Sequence, residues 1–324
     1  MTDAGPLFVS SGDLIADRRY EWALDHAARG DYSGAADILR QTVELAPGFA
    51  AAWYTLGTLR ERSGSAGGAI AAFQRALAAD PDDRHGARLR LARLGAGDAN
   101  PPMPQPYVRR LFDQYAARYD ASLTEELRYR GPAILFGAVA DAMRAAGRPV
   151  RFDAVLDLGC GTGLGGAAFR GVARRLVGVD LAPAMVAQAA AKGIYDRLVT
   201  AEIADFLAGE IANGAQYDLV VAADVFVYVN DPAAIFAAIA RLLAADGLLA
   251  FTVETHSGDG IKLLPTLRYS HGEVYLRRAL GLARLTPAYL AAASVRSEKA
   301  VPVDGLVVIA RPSTAPAAPG IGAA

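Results

Sequence analysis

The chain has 324 residues, 53% of them hydrophobic, enough for two domains with buried cores. Its 33 basic and 34 acidic residues leave a formal net charge of −1, which argues against a nucleic-acid footprint. The single cysteine, Cys160, excludes an internal disulfide framework and a cysteine-cluster metal site, and no metal is expected. Asp3, Asp13 and Asp17 stand where a signal peptide would need basic residues and an apolar run, and the longest apolar stretches are too short to span a bilayer. A soluble cytoplasmic protein with no membrane partner is the expectation.

Residues 16–83 repeat. Tyr20 and Tyr54, Gly30 and Gly64, Ala35 and Ala69, and Pro47 and Pro81 are each 34 positions apart. Trp53, Leu56, Gly57, Ala69, Phe73, Ala76 and Pro81 fall as in the tetratricopeptide pattern. The earlier copy keeps Trp22, Ala23, Ala35, Leu39 and Pro47. The pattern predicts helices at 17–30, 33–46, 50–63 and 66–79, with a capping helix at 83–94. Residues 1–98 thus form a repeat domain, with repeats at about 16–49 and 50–83. Two units are fewer than the three that usually stabilise an array, so the module should lean on its neighbour or on a second copy, as in a homodimer. Its role is either a docking groove for a protein partner or a scaffold. Four prolines and two glycines between Gly95 and Pro106 mark residues 99–106 as a semi-rigid linker, and deletion before Pro104 is expected to spare cofactor binding.

The second domain spans 107–312, and the Ala/Pro/Gly-rich tail 313–324 reads as disordered. Helices are predicted at 107–118, 122–130 and 131–146, ahead of strands at 154–158, 176–179, 198–203, 217–222, 247–253, 293–299 and 306–310. Helices at 183–192 and 232–244 alternate with continuous Val/Leu/Ile runs. That alternation means an α/β, doubly wound, mostly parallel sheet of seven strands, whose last two form an antiparallel hairpin.

Where the first strand ends, VLDLGCGTG (155–163) puts a carboxylate and three spaced glycines at a strand-to-helix turn, where free N–H groups can hold an anionic ligand. GTGLGG (161–166) also fits the dinucleotide fingerprint, with Asp180 about 20 residues on. Asp157 disfavours that reading, because a carboxylate there repels pyrophosphate but suits the ammonium of an amino acid. An NAD-dependent oxidoreductase is therefore the cofactor rival.

The series DLGCGTG, VGVDLAPAM (177–185), IADF (203–206) and YDLVVAADV (217–225) resembles the class I S-adenosylmethionine-dependent methyltransferases. With the repeats, the architecture is similar to a bacterial family of repeat-containing methyltransferases. The resemblance implies S-adenosyl-L-methionine as cofactor and the terminal antiparallel hairpin of that fold. It implies that Asp157, Gly159, Cys160, Gly161 and Gly163 hold the methionine end and that Asp180 binds the ribose hydroxyls. Met185 would pack on adenine and Asp205 accept from its amino group, with Leu181, Phe206 and Asp224 as further cofactor contacts. Asp180 would serve equally as a helix N-cap, and Met185 as ordinary core. Tyr115 and Tyr119 resemble the N-terminal lid of small-molecule methyltransferases, or are aromatic positions on an amphipathic helix.

The acceptor side is less marked. The segment ADVFVYV (223–229) lacks the Asn- or Asp-Pro-Pro-aromatic signature of exocyclic and amide nitrogen methylation, and no Pro-Cys nucleophile exists. His256, after the fifth strand, is the candidate general base by position, or a solvated loop histidine. Tyr228, Arg268 and His271 are candidate acceptor contacts, Arg268, Tyr269 and His271 for an anionic or hydroxylated substrate, while Ser270 and Glu273 have capping-box spacing. The leading expectation is a methyltransferase acting on oxygen or nitrogen of a small molecule. The alternatives are a protein or carrier-protein methyltransferase whose repeats dock the substrate, and a non-enzymatic cofactor-binding scaffold.

Overall fold

The structure is a computed structural model that describes residues 9–121, 129–298 and 301–313. The repeats form two helical hairpins, α1 (Leu14–Ala28) with α2 (Tyr32–Leu45) and α3 (Ala50–Arg62) with α4 (Ala66–Ala79). The Asp13 carboxylate caps α1, accepting from the Ile15 and Ala16 amides. Small residues set the spacing. A Cβ at Gly57 would stand 2.7 Å from the Phe73 ring, so only glycine lets α3 and α4 close on that aromatic. The short α5 (Ala87–Arg93) gives Leu91 to the repeat core and turns fully buried Leu89 outward onto Leu267 and Tyr269 of the second domain.

Instead of a spacer between modules, the linker is a strap pinned to the second domain. The Tyr269 hydroxyl donates to the Pro101 carbonyl, and Asn230 Nδ2 donates to the Asn100 carbonyl at 3.0 Å. Met103 and Tyr107 pack on the Leu89 cluster. Prolines hold this stretch extended, which leaves its carbonyls free to be taken by side chains. The strap leads into α6 (Gln105–Tyr115), a 3₁₀ turn at Ala116–Arg118, α7 (Tyr119–Ala121) and α8 (Gly131–Ala145). Most of the helix predicted at 122–130, and all but the first residue of the predicted tail 313–324, lie outside the described residues.

The sheet follows: β1 (Phe152–Leu158), α9 (Leu164–Phe169), β2 (Ala173–Asp180), α10 (Pro183–Ala191), β3 (Arg197–Thr200), α11 (Ile203–Ala212), β4 (Tyr217–Ala222), α12 (Ala233–Leu242) and β5 (Leu243–His256). After the short β6 (Ile261–Leu263) and β7 (Tyr269–Gly272) come α13 (Glu273–Leu282), β8 (Leu285–Ala292), β9 (Ser297–Glu298), β10 (Val301–Pro302) and β11 (Gly305–Pro312). Strand order is β3-β2-β1-β4-β5-β11-β8, with β11 antiparallel to both neighbours. One apolar layer packs under α11, α12 and α13, and the other under α8 and α9. The reversal of strand order between β1 and β4 opens a crevice at the strands' C-terminal ends, which is where α/β folds bind ligands.

Two expectations are corrected. The strand placed at 293–299 is β8, eight residues earlier; residues 293–296 are instead irregular, and the small β9–β10 ladder follows them. Pro287 and the alanine-rich run hide β8 from propensity, and the strand tolerates proline because it lies at the sheet edge. Ser270 is not a helix cap. It lies within β7, paired beside β5, and α13 starts from Gly272 with no side-chain cap. Among the described residues no helix is long and apolar enough to cross a membrane.

Candidate active site

The turn after β1 works through backbone geometry. Gly159, Gly161 and Gly163 have φ of 60°, 53° and 91°, in the left-handed region that side chains resist. At Gly161 a Cβ would find no protein atom nearer than 3.9 Å, on Tyr119, so that face of the loop opens to a cavity. Asp180, at the end of β2, ties the loop down. Its Oδ2 accepts from the Gly161 amide and its Oδ1 from the Ala182 amide, both at 2.9 Å. Burial raises its pKa, against the pull of those amides.

Asp157 lies beneath the loop rather than on the cavity wall. It is 2% exposed, and Tyr195 donates to its Oδ2 at 2.6 Å. Burial pushes its pKa up to about 7 even with that hydrogen bond and one from the Gly166 amide. Cys160 is also buried, and its thiol pKa is raised by desolvation. Tyr195 carried no sequence motif. Its only local signal is the string of glycines it packs against: a Cβ at Gly166 would stand 2.2 Å from its hydroxyl.

A lid covers part of the cavity. Gln105, Val108 and Phe112 recur at helical spacing along one side of α6 and line it, joined by Tyr119. Asp113 accepts from the Ala184 amide at 3.0 Å, capping α10 from another segment. The Asp120 carboxylate accepts from the Thr162 hydroxyl on the glycine loop and pairs with the Lys192 ammonium at 2.7 Å. Tyr115 and fully buried Met185 pack in the lid's own cluster with Ala116 and Ala182, and neither lines the cavity. Phe112 meets Tyr228 edge-on, with ring centroids 5.1 Å apart.

The cavity is about 230 Å³. On the cofactor side, Leu181 lines it as predicted positions suggest, but Asp205 is exposed outside it and Phe206 lies in the core beneath α11. Glu202 and Ile203 stand there instead. β3 ends at Thr200, so Glu202 becomes the N-cap of α11 and Asp205 turns away with its first turn.

On the acceptor side, Asp224, Tyr228 and Asn230 line the wall. Arg268 is behind that wall, its Nε donating to the Tyr228 hydroxyl at 3.2 Å. His271 is fully buried, its Nε2 donating to the Val229 and Asn230 carbonyls at 3.1 Å, and burial pushes its pKa down to about 4. His256 lines a separate cavity of about 620 Å³ with Glu273 and Asp304. Neither histidine can therefore act as a base on a ligand in the first cavity. Strand direction explains the miss: β5 continues to His256, so this residue is carried past the rim into the β7–β11 side of the sheet. Sequence reasoning also missed Arg296, whose guanidinium joins Asp224 to Glu254.

Residues 156–251 match the methyltransferase domain family, and residues 20–84 match the tetratricopeptide repeat family. The chain is a methyltransferase domain joined to tetratricopeptide repeats. The magnesium protoporphyrin IX methyltransferase of Synechocystis, solved with bound S-adenosylhomocysteine, is 20% identical. It covers 64% of this chain and 99% of its own, with a TM-score of 0.51, a likeness of fold. A Burkholderia thailandensis 1,6-didemethyltoxoflavin-N1-methyltransferase, also solved with S-adenosylhomocysteine, is 24% identical over 67% of this chain and 93% of its own, with a TM-score of 0.49. No curated protein matches the chain. In the methyltransferase domain the glycine loop, Asp180 and Glu202 form one side of the cavity, and the strap, the lid and the β4 loop form the other.

Proposed function

We propose that the protein transfers the methyl group of S-adenosylmethionine to an oxygen or nitrogen of a small molecule. The observation that carries this reading is the lid. Phe112 and Tyr119 cover part of a half-open, mostly apolar cavity beside the glycine loop, with a few polar groups, the form of a small-molecule site. The residues fit the cofactor. Gly161 leaves open space at the loop, Asp180 offers a carboxylate to a ribose, and Glu202 offers one to the far end of a nucleoside.

Bound there, S-adenosylmethionine supplies an activated methyl group on sulfur, so the protein's own work is positioning and the exclusion of water. The lid aromatics exclude water, the loop glycines allow close backbone approach, and Asp224, Tyr228 and Asn230 line the wall that an acceptor would meet. A second reading, with a protein partner docked on the repeats, draws support from a groove between the repeats and the outer side of α6, lined by Tyr54, His85 and Arg110.

Calorimetry tests the main reading. S-adenosylmethionine and S-adenosylhomocysteine should bind with micromolar affinity or better and NAD negligibly, and Asp180→Ala should weaken binding by about 1.5–3 kcal/mol. Tight NAD binding by the wild type would overturn it.

A further inference from the structure

Two cavity-lining side chains, Asp224 and Tyr228, are the ends of one buried chain of charged groups. Arg296 donates to both Asp224 oxygens, at 3.0 and 2.8 Å, and to Glu254. Glu254 also lies 3.7 Å from Arg268, whose Nε donates to the Tyr228 hydroxyl. Glu254, Arg268 and Arg296 are all buried, and the two arginines balance the two carboxylates. Asp224 itself sits at φ 60°, a conformation few residues other than glycine, asparagine and aspartate accept. Its amide is held by the Thr252 hydroxyl at 2.9 Å. Backbone and carboxylate are thus fixed from two sides, aiming a preset group at the cavity.

Resting on the methyltransferase reading above, we infer that the acceptor is a neutral molecule that offers a hydrogen-bond donor to Asp224 and an acceptor to Tyr228. The Tyr228 oxygen already receives Arg268 Nε–H, so its own proton is left to donate. Asp224 receives Arg296 and keeps lone pairs for a further donor. An anionic acceptor is disfavoured: the cavity wall carries Asp180, Glu202 and Asp224 and, among the described residues, no lysine, arginine or histidine. Arg268 does not redress this, because it is spent on Tyr228 and Glu254 behind the wall. A cationic acceptor fails differently. A protonated amine has no lone pair with which to attack, and it would be repelled by the sulfonium.

The nucleophile's O–H or N–H therefore donates to Asp224 before reaction. As its lone pair forms the bond to the methyl carbon, the carbon–sulfur bond breaks and its electron pair stays on sulfur as a neutral thioether. The released proton passes to the Asp224 carboxylate and on to solvent. Asp224 and Tyr228 touch the acceptor, whereas Arg296 and Arg268 are positioning residues that act through them.

The test uses the full chain saturated with S-adenosylhomocysteine and three single-ring probes: salicylamide (neutral, donor and acceptor adjoining), salicylate (its anionic counterpart) and benzylamine (a slightly smaller cation). NMR-detected titration should show salicylamide bound at least about tenfold more tightly than either charged probe. Asp224→Asn, near-isosteric and tolerant of the same backbone, should remove the discrimination against salicylate. Arg296→Lys should keep that discrimination and Arg296→Met lose it, a pattern that general destabilisation would not give. Equal or tighter binding of salicylate, or binding of none of the probes, overturns the inference. Failure of the wild type to bind S-adenosylhomocysteine would instead overturn the reading on which it rests.

Discussion

Replacing Asp157 with asparagine should abolish a pH dependence of stability that the wild type carries. Burial pushes the Asp157 carboxyl up to about 7 from an ordinary 3.8. A raised folded-state pKa means that the folded protein binds this proton more tightly than the unfolded chain does. The stability it contributes is fully present below about pH 4 and is lost as the pH rises through about 7. At about 1.36 kcal/mol for each pKa unit, the most that can be lost is roughly 4 kcal/mol. Asparagine reproduces the protonated acid. Its amide oxygen can accept from the Gly166 amide, and its NH₂ can donate to Tyr195, whose hydroxyl accepts as readily as it donates. Urea unfolding of the ligand-free protein, followed by circular dichroism between about pH 5 and pH 8, reads the difference. The variant should gain on the wild type steadily as pH rises, by roughly 2–4 kcal/mol at the upper end. Parallel curves for the two proteins would mean that water reaches the carboxylate and that burial does not govern it.

Gly161→Val should fold with a local cost of about 1–2 kcal/mol, from forcing a branched residue to positive φ, yet lose cofactor binding in calorimetry. Retained affinity would show that the ligand does not approach Gly161. Leu89→Ala should cost about 2–5 kcal/mol and open the strap, so limited proteolysis should cut within 95–103 while S-adenosylhomocysteine affinity holds. An uncut linker would place the hold on the strap elsewhere. His256→Ala should leave turnover within about twofold of the wild type, because the ring lines a different cavity. A loss of roughly 10²–10⁴-fold would restore it as the general base.

The parts legible in the sequence are those where local backbone requirements dominate. The 34-residue period placed four helices to within three residues, because each small or large apolar position in a repeat has one partner helix to meet. The glycine loop and the four parallel strands around it were equally plain, since a buried strand ending in glycines has few other uses. What escaped was decided by distant contacts. Ser270 and Glu273 have the spacing of a capping box, yet pairing with β5 claims residues 269–272 as a strand. Asp205 missed the cavity because strand β3 stops three residues early and shifts the phase of α11, handing its place to Glu202. Arg296 has no local signature at all. Its meaning comes from Asp224 and Glu254, 72 and 42 residues away.

The linker shows the same division with a functional consequence. Composition alone makes Gly95–Pro106 a spacer, since nothing in a proline-rich run announces which side chains will take its carbonyls. Once Asn230 and Tyr269 do take them, Pro102 and Met103 become part of the cavity wall, followed along α6 by Val108 and Phe112. None of these four belongs to a cofactor motif, and Phe112 meets Tyr228 edge-on. Leu89, from the last helix of the repeat domain, is buried against Leu267 and Tyr269, so the repeats brace the residue that pins the strap. The cofactor half of the cavity is thus set by rules that any chain of this fold obeys. The acceptor half is built partly by the strap, which the repeat domain braces, and changes at that seam should alter which molecule is methylated before they alter cofactor binding.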